Sequence, residues 1–173
     1  MNVTFVGEVP NQNLLGLNQP DMVIVTHPIF LQHSNEIASL HEEKDGLSVA
    51  VVTNEQVYNE FSSGNPDVSA IRNLMRTLYK RASGESEMPK YLLLFGDGSY
   101  DNLSNTLSNT NLILTYQSDR SINKTSSFVT DDFFGLLDDN EGEADGLLDI
   151  GIGRLPVKNL EEADIVVNKI KNY

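Results

Sequence analysis

Apolar residues fall into short continuous runs separated by segments with helical spacing. The run at residues 22–25 is continuous and apolar, which is typical of a strand buried on both faces. Residues 47–52 and 91–95 are predicted to be the second and third strands. The run at 91–95 is the most apolar and is predicted to be a central strand. A last strand is predicted within residues 150–156.

Helical spacing predicts four helical segments between and after these strands. The first covers about residues 29–43 and stops at Gly46, and the second is a short helical turn over 54–61. The third begins with Asn65 as N-cap and Pro66 in its first turn. The fourth begins at a capping-box pattern, Asn159 with Glu162. The expected buried faces of the third and fourth helices are Val68, Ile71, Met75, Leu78 and Ala82, and Leu160, Ala163, Val166, Val167 and Ile170.

A second face of the third helix carries Arg72, Arg76 and Lys80 at helical spacing. We interpret this row as solvated surface rather than as a binding patch.

Strands that alternate with helices predict an α/β fold: a three-layer, mostly parallel sheet with helices on both faces. Residues 1–20 are predicted to be an incoming connection with a short strand at 3–6, and residues 21–173 the domain. Short strands are expected at 112–116 and 128–130. Residues 132–137 and 147–151 are expected to pair across the acidic turn 138–146.

Composition narrows the function. The formal net charge of −13 and pI near 4.4 argue against nucleic acid as a partner, because binding phosphate needs clustered Lys and Arg. The acidity fits either solubility or Ca²⁺ binding. The 173 residues contain no cysteine, which excludes disulfides, thiolate metal sites and a cysteine nucleophile within them.

Ligand sites of such folds lie outside the carboxyl ends of the strands. Three segments qualify: 26–28 with His27, 96–101, and Gly153-Arg154. In the second, Asp97, Ser99 and Asp101 have a spacing that can hold a divalent cation. The alternative is that both aspartates cap turns through their side chains.

The segment 138–145 resembles a calcium loop in composition only, with Asp138 and Asp145 as candidate ligands. An EF-hand loop needs Gly at its sixth position, but counting from Asp138 that position is Glu143. A solvated hairpin turn is the alternative. Asp131 and Asp132 are adjacent, and on a strand they would face opposite ways.

The histidines give no catalytic constellation. His33 and His41 lie eight residues apart on the first predicted helix, and His27 follows a strand with no nucleophile to activate. We interpret His33 and His41 as structural and assign no catalytic residue.

Six short segments of the sequence, taken in their order along the chain, resemble a known protein family, although no single segment is diagnostic. They are MVIVTHP at 22–28, DGLSVAVVT at 45–53, QVYNEFSSG at 56–64, YLLLFGDGSYD at 91–101, VTDDFFGLLD at 129–138 and DIGIGRLPV at 149–157. Together they resemble the N-terminal part of the gingipain-type cysteine peptidase domain. The resemblance runs from about residue 19 to the last residue.

The resemblance implies a caspase-like domain of two α/β subdomains, of which this chain is the first. The second would carry the catalytic His and Cys, and would be this chain's partner. The parent would be a cysteine-type endopeptidase acting at the extracellular face of the outer membrane on protein substrates with C-terminal secretion signals. Ca²⁺ sites occur in gingipains, which supports the acidic loops as candidates.

Both ends of the sequence are expected to lie inside a longer protein. The start, MNVTFVGEVPNQN, is not a signal peptide, and the last helical pattern runs to Tyr173 without a cap. Two other functions stay open. One is a self-sufficient metal-dependent binding module using Asp97, Ser99 and Asp101. The other is a receiver-like or nucleotide-binding domain, against which the missing phosphate loop argues.

Overall fold

The computed structural model describes residue 8, residues 10–102, residue 106, and residues 109–119, 122–142 and 145–173. The expected strand at 3–6 lies outside the described residues. No helix in the described part of the chain is long and apolar enough to cross a membrane.

Four parallel strands form the central sheet: β1 (Met22–Thr26), β2 (Val49–Thr53), β3 (Tyr91–Phe95) and β6 (Gly151–Leu155). Their order is β2-β1-β3-β6, with Thr26 level with Thr53 on one side and with Phe95 on the other. β3 is therefore internal, as predicted. Two short strands, β4 (Tyr116–Gln117) and β5 (Val129–Thr130), pair antiparallel in a separate sheet within the long β3–β6 connection.

Helices cover both faces of the sheet, which confirms the predicted fold class. The α-helices of the described residues are α1 (Leu31–Asp45), α2 (Asn54–Phe61), α3 (Val68–Arg81) and α4 (Leu160–Lys171). α1 and α4 pack on one face, with Met22 and Ile24, and α2 and α3 pack on the other, with Val23 and Val25. The alternation of β1 side chains between the faces follows from the period of two along a strand.

Two sequence predictions on local structure are wrong. The N-cap of α3 is Asp67, whose side chain accepts a hydrogen bond from the Ser69 N–H, and not Asn65. Residues 132–137 and 147–151 form no ladder, because Asp132–Gly135 is a short 3₁₀ helix. The Leu137 N–H donates instead to the Asp149 carboxylate, at 2.8 Å.

The segment before β1 packs against α2 and α3. Leu14 belongs to the core, and the Glu60 carboxylate accepts the Leu14 N–H at 2.8 Å. Arg81 donates to the carbonyl oxygens of Leu15 and Leu17. The domain boundary at residue 20 stays a prediction.

Gly46 ends α1 in the left-handed conformation, with φ of 67°. A Cβ there would meet no atom within 4 Å, so only backbone strain opposes a side chain. We expect Gly46→Ala to lower the free energy of unfolding by about 1 kcal/mol, measured by urea denaturation. Gly84 is the matched control, because it has equal space but extended backbone. Equal effects of the two alanines would contradict this account.

The Asp21 carboxylate joins three strands at the amino edge of the sheet. It accepts from Lys90 Nζ at 2.7 Å and from the N–H and hydroxyl of Ser48 at 2.9 and 2.7 Å. The Lys90 hydrogen bond, followed by those from Ser48, lowers the pKa of Asp21 from 3.8 to about 2. Because the folded-state pKa is the lower one, the stabilisation is fully present above about pH 4 and is lost as the pH falls through about 2.

We expect Asp21→Asn to cost about 1 kcal/mol of stability at pH 7, since solvent screens the half-exposed Lys90. The difference from the original protein should shrink to a small fraction near pH 2, where the folded-state carboxyl is half protonated. Urea denaturation at both pH values measures it, with the exposed Asp132→Asn as control. A deficit that persists unchanged at pH 2 would refute the assignment.

Candidate functional site

The carboxyl ends of β1, β3 and β6 lie level, because Thr26 pairs with Phe95 and Phe95 with Leu155. This is the edge where the sequence predicts a ligand site. The segments 26–28 and 96–101 both follow strands that end there. Arg154 instead lies inside β6, one residue before its end.

The guanidinium group of Arg154 lies at the carboxyl edge of the sheet and hydrogen-bonds to the surrounding chain. Nε and Nη2 donate to the two carboxylate oxygens of Asp131, each at 2.7 Å. The same group donates to the carbonyl oxygens of Gly96 and Ile113 at 2.9 Å and of Leu114 at 3.2 Å. The Arg154 side chain is only 13% exposed and that of Asp131 23%. Arg154 is therefore used to hold its own chain's connection rather than to contact a partner.

Asp131 is the partner that sequence reasoning missed. It precedes the 3₁₀ helix Asp132–Gly135 and is not on a strand, so the argument that Asp131 and Asp132 face opposite strand faces does not apply. The Thr115 hydroxyl also donates to Asp131, at 2.9 Å. Its partners lie 16 and 23 residues away in sequence, so no local signal marked this residue.

Asp97 makes hydrogen bonds through both its backbone and its side chain. Its N–H donates to the Val157 carbonyl oxygen at 2.9 Å, and its own carbonyl oxygen accepts from Leu112 and Ile113 at 3.0 Å. The carboxylate accepts from the Thr110 hydroxyl at 2.5 Å, with Lys158 Nζ 3.8 Å away. The hydrogen bond between Thr110 and the Asp97 carboxylate thus stabilises the start of the long connection between β3 and β6.

Ser99 and Asp101 also take part in turn hydrogen bonds. The Ser99 hydroxyl accepts from the Asp101 N–H at 3.1 Å, and the Asp101 carbonyl oxygen accepts from Asn109 Nδ2 at 3.0 Å. The structure therefore places the candidate ligands Asp97, Ser99 and Asp101 in one loop, where Thr110 and Lys158 are the neighbours of the Asp97 carboxylate.

The acidic turn is closed by Glu141, which the sequence did not single out. Its carboxylate accepts the Leu147 N–H at 3.0 Å and the Asp138 N–H at 3.3 Å. Asp145 lies in an isolated β-bridge with Gly142. Within the described ranges, no three His, Asp or Glu side chains come together in a way that could hold a metal ion. Calcium binding at Asp97, Asp101, Asp138 or Asp145 stays a prediction.

The basic row of α3 is solvated only in part, because Lys80 is exposed but Arg72 and Arg76 are half-buried. Arg72 donates to the carbonyl oxygens of Leu136 and Glu141, at 2.7 and 2.9 Å. Arg76 and Lys80 both pair with the Asp139 carboxylate, and the hydrogen bond from Lys80 is the main cause that lowers the pKa of that group. The row therefore holds the acidic turn against α3.

The three histidines make structural contacts. His27 Nδ1 accepts from the Ile29 N–H at 3.4 Å, and burial lowers the pKa of the His27 imidazole. His33 Nε2 lies 2.9 Å from Asp164, which links α1 to α4. His41 Nδ1 lies 2.6 Å from Asp45 on the same helix. None of these imidazoles hydrogen-bonds a hydroxyl group in the described part of the chain, so the geometry offers no activated nucleophile.

Comparison with known proteins gives one family model and a solved structure that are similar to this chain. The family model for peptidase family C25, the gingipain family, matches residues 16–173. The chain is similar to the crystal structure of dimeric latent PorU from Porphyromonas gingivalis, with 39% identity and a TM-score of 0.82. The match covers 97% of this chain and 17% of that chain. Among curated proteins, none matches.

The chain belongs to peptidase family C25. Both the resemblance and the fold predicted from the sequence are confirmed. Members of this family are cysteine peptidases, whereas these 173 residues hold no cysteine.

Proposed function

We propose that this chain is the N-terminal, non-catalytic subdomain of a longer gingipain-like cysteine endopeptidase. The observation that carries the proposal is a family match over residues 16–173 in a chain without cysteine. The relative is also much longer, since the match covers 17% of its length. The catalytic His and Cys would then lie in a second subdomain, and this one is inert alone.

The role of this subdomain is support. Its carboxyl edge is filled by Arg154, Asp131 and the loop around Asp97, which supports a rigid wall rather than an open cleft. Such a wall can fix one side of the substrate cleft formed with the catalytic subdomain. Rigid positioning of this kind contributes to catalysis without any reacting group.

The finer function follows the likeness to PorU. The longer protein acts as a sortase of the type IX secretion system of Bacteroidetes, at the extracellular face of the outer membrane. A thiolate attacks the carbonyl carbon before the C-terminal signal, the peptide bond breaks, and the leaving amine takes a proton. Water or an amine of anionic lipopolysaccharide then attacks the acyl-enzyme and releases the thiol.

The test compares the isolated chain with the uninterrupted gene product. We expect the longer protein to cleave peptides, to lose that activity with thiol-reactive inhibitors, and to lose it when residues 1–173 are deleted. The isolated chain should cleave nothing. Robust hydrolysis by the isolated chain, or a longer product without a cysteine, would refute the proposal.

A further inference from the structure

The outer edge of β6 is open to a further strand. The Gly151 N–H donates to the Lys90 carbonyl oxygen at 2.8 Å, and the Gly96 N–H donates to the Leu155 carbonyl oxygen at 3.0 Å. Alternate residues of β6 therefore bond to β3, and the backbone groups of Ile152 and Arg154 point away from it. Nothing in the described part of the chain pairs with those groups.

The opposite edge of the sheet differs in its surroundings. Beside β2 the polar residues Asn18, Glu42 and Ser48 lie among the apolar Leu17 and Pro20. The Thr53 N–H also donates to the Gln56 side chain. Beside β6, by contrast, three apolar side chains are exposed: Tyr91 by 46%, Leu147 by 83% and Leu148 by 51%. Charged or polar flanks protect an edge from pairing, and β6 has an apolar surround instead.

The packing of this chain does not require a glycine at position 153. A Cβ built there would meet only Leu93 Cδ1, at 3.8 Å, which is an ordinary contact. At Gly151, by contrast, a Cβ would lie 3.1 Å from the Tyr91 ring. A glycine inside a strand often marks a bulge, a tight bend, or close approach by another group. The register between β3 and β6 is unbroken from Gly151 to Leu155, which favours close approach.

Gly151 and Gly153 form the floor of a groove of about 640 Å³ on the α1 face of the sheet. Its apolar lining comes from Met22, Leu47, Tyr91 and Leu93, and His41 and Asp45 stand at one end. A strand paired with β6 would place the residue opposite Gly153 on this same face. A large side chain at that position would lie over the glycine and fill the groove.

We propose that β6 pairs with an apolar β-strand of the longer protein, which places a large, preferably aromatic, side chain over Gly153. This inference rests on the proposed function, because the occupant is a later part of the same polypeptide. A second copy of the chain is the less favourable occupant, since each copy carries a net charge of −13.

The pairing strand is not the one reached directly through α4. α4 packs on the same face as α1, and α1 connects β1 to β2. A right-handed crossover on that face shifts the chain from β6 towards β2, away from the open edge. The strand that covers β6 therefore comes from further along the protein.

Hydrogen exchange of the Ile152 and Arg154 amides tests the pairing. We expect at least about tenfold slower exchange in the longer protein than in the isolated chain. Equal rates in both would overturn the proposal. So would protection in the isolated chain that rises with concentration together with a dimer mass, because that result assigns the edge to a second copy.

Two substitutions test the strand pairing at the edge and the occupation of the groove separately. Ile152→Pro removes an outward N–H, and Ile152→Ala keeps it, so only the proline should abolish the protection at Arg154 in the longer protein. Gly153→Leu fills the groove and should have the same effect, while the isolated variant stays as stable as the original. Val51→Pro, at the β2 edge, should leave the protection at β6 unchanged. Protection that survives Gly153→Leu would overturn the groove assignment.

Peptidase activity of the unmodified longer protein is measured in parallel. If activity is absent but the β6 amides are protected, the proposed function fails and the pairing stands. If activity is present but the β6 amides exchange freely, the pairing fails and the proposed function stands.

Discussion

Replacing Arg154 by methionine is expected to lower the free energy of unfolding by about 3–5 kcal/mol, as for other buried ion pairs that lose one partner. The change leaves the Asp131 carboxylate, which is 23% exposed, without its counter-charge. It also leaves three carbonyl oxygens without a donor, those of Gly96, Ile113 and Leu114. Each buried acceptor that loses its partner adds a desolvation penalty.

Urea denaturation of the isolated chain measures this effect. Arg76→Met is the matched control, because the carboxylate that Arg76 contacts, Asp139, is 68% exposed; it should cost at most about 1 kcal/mol. The double variant Arg154→Met with Asp131→Leu should recover part of the loss, since it removes the unpaired charge. A single variant that costs no more than Arg76→Met would show that the edge is not held by this pair.

Replacing Phe134 by alanine is expected to cost about 3–5 kcal/mol. Phe134 lies in the 3₁₀ helix Asp132–Gly135, is fully buried, and belongs to the core between the sheet and α3. The ring anchors the middle of the long connection between β3 and β6. Its loss leaves a cavity that the surrounding side chains fill only in part.

Phe128→Ala is the control for this change, because Phe128 has the same side chain in the same connection but is 40% exposed. It should cost at most about 1 kcal/mol. Thermal or urea denaturation measures both variants. Similar losses for the two would mean that Phe134 does not anchor the connection.

The strands and helices could be predicted because their signals are local. The apolar run at 91–95 gives an internal strand, and Gly46 ends α1 with the left-handed conformation that glycine accepts most easily. The N-cap of α3 shows the limit of such signals. Asn65 and Asp67 are both good caps, so residue type alone could not decide between them, and the helix begins at Val68 with Asp67 as its cap.

The position of the candidate site could be predicted from the sequence, but the contacts of its residues could not. The strand ends lie where the sequence placed them, yet Arg154 is turned inward and its carboxylate partner was not recognised. The basic row of Arg72, Arg76 and Lys80 likewise resembled a solvated face. Its acceptors lie 59 to 69 residues further along the chain, so helical spacing alone could not show them.

The sequence by itself determined the α/β class, the main strands and helices, the family resemblance and the lack of a cysteine nucleophile. The class, the elements and the missing nucleophile follow from residue types and local spacing, and the resemblance follows from the order of short phrases along the chain. The tertiary structure decided that Arg154, Asp131 and Glu141 bind their own chain, and that Gly153 faces an open groove. Those features depend on which distant backbone groups the fold brings within hydrogen-bonding distance, and local pattern carries no information about that.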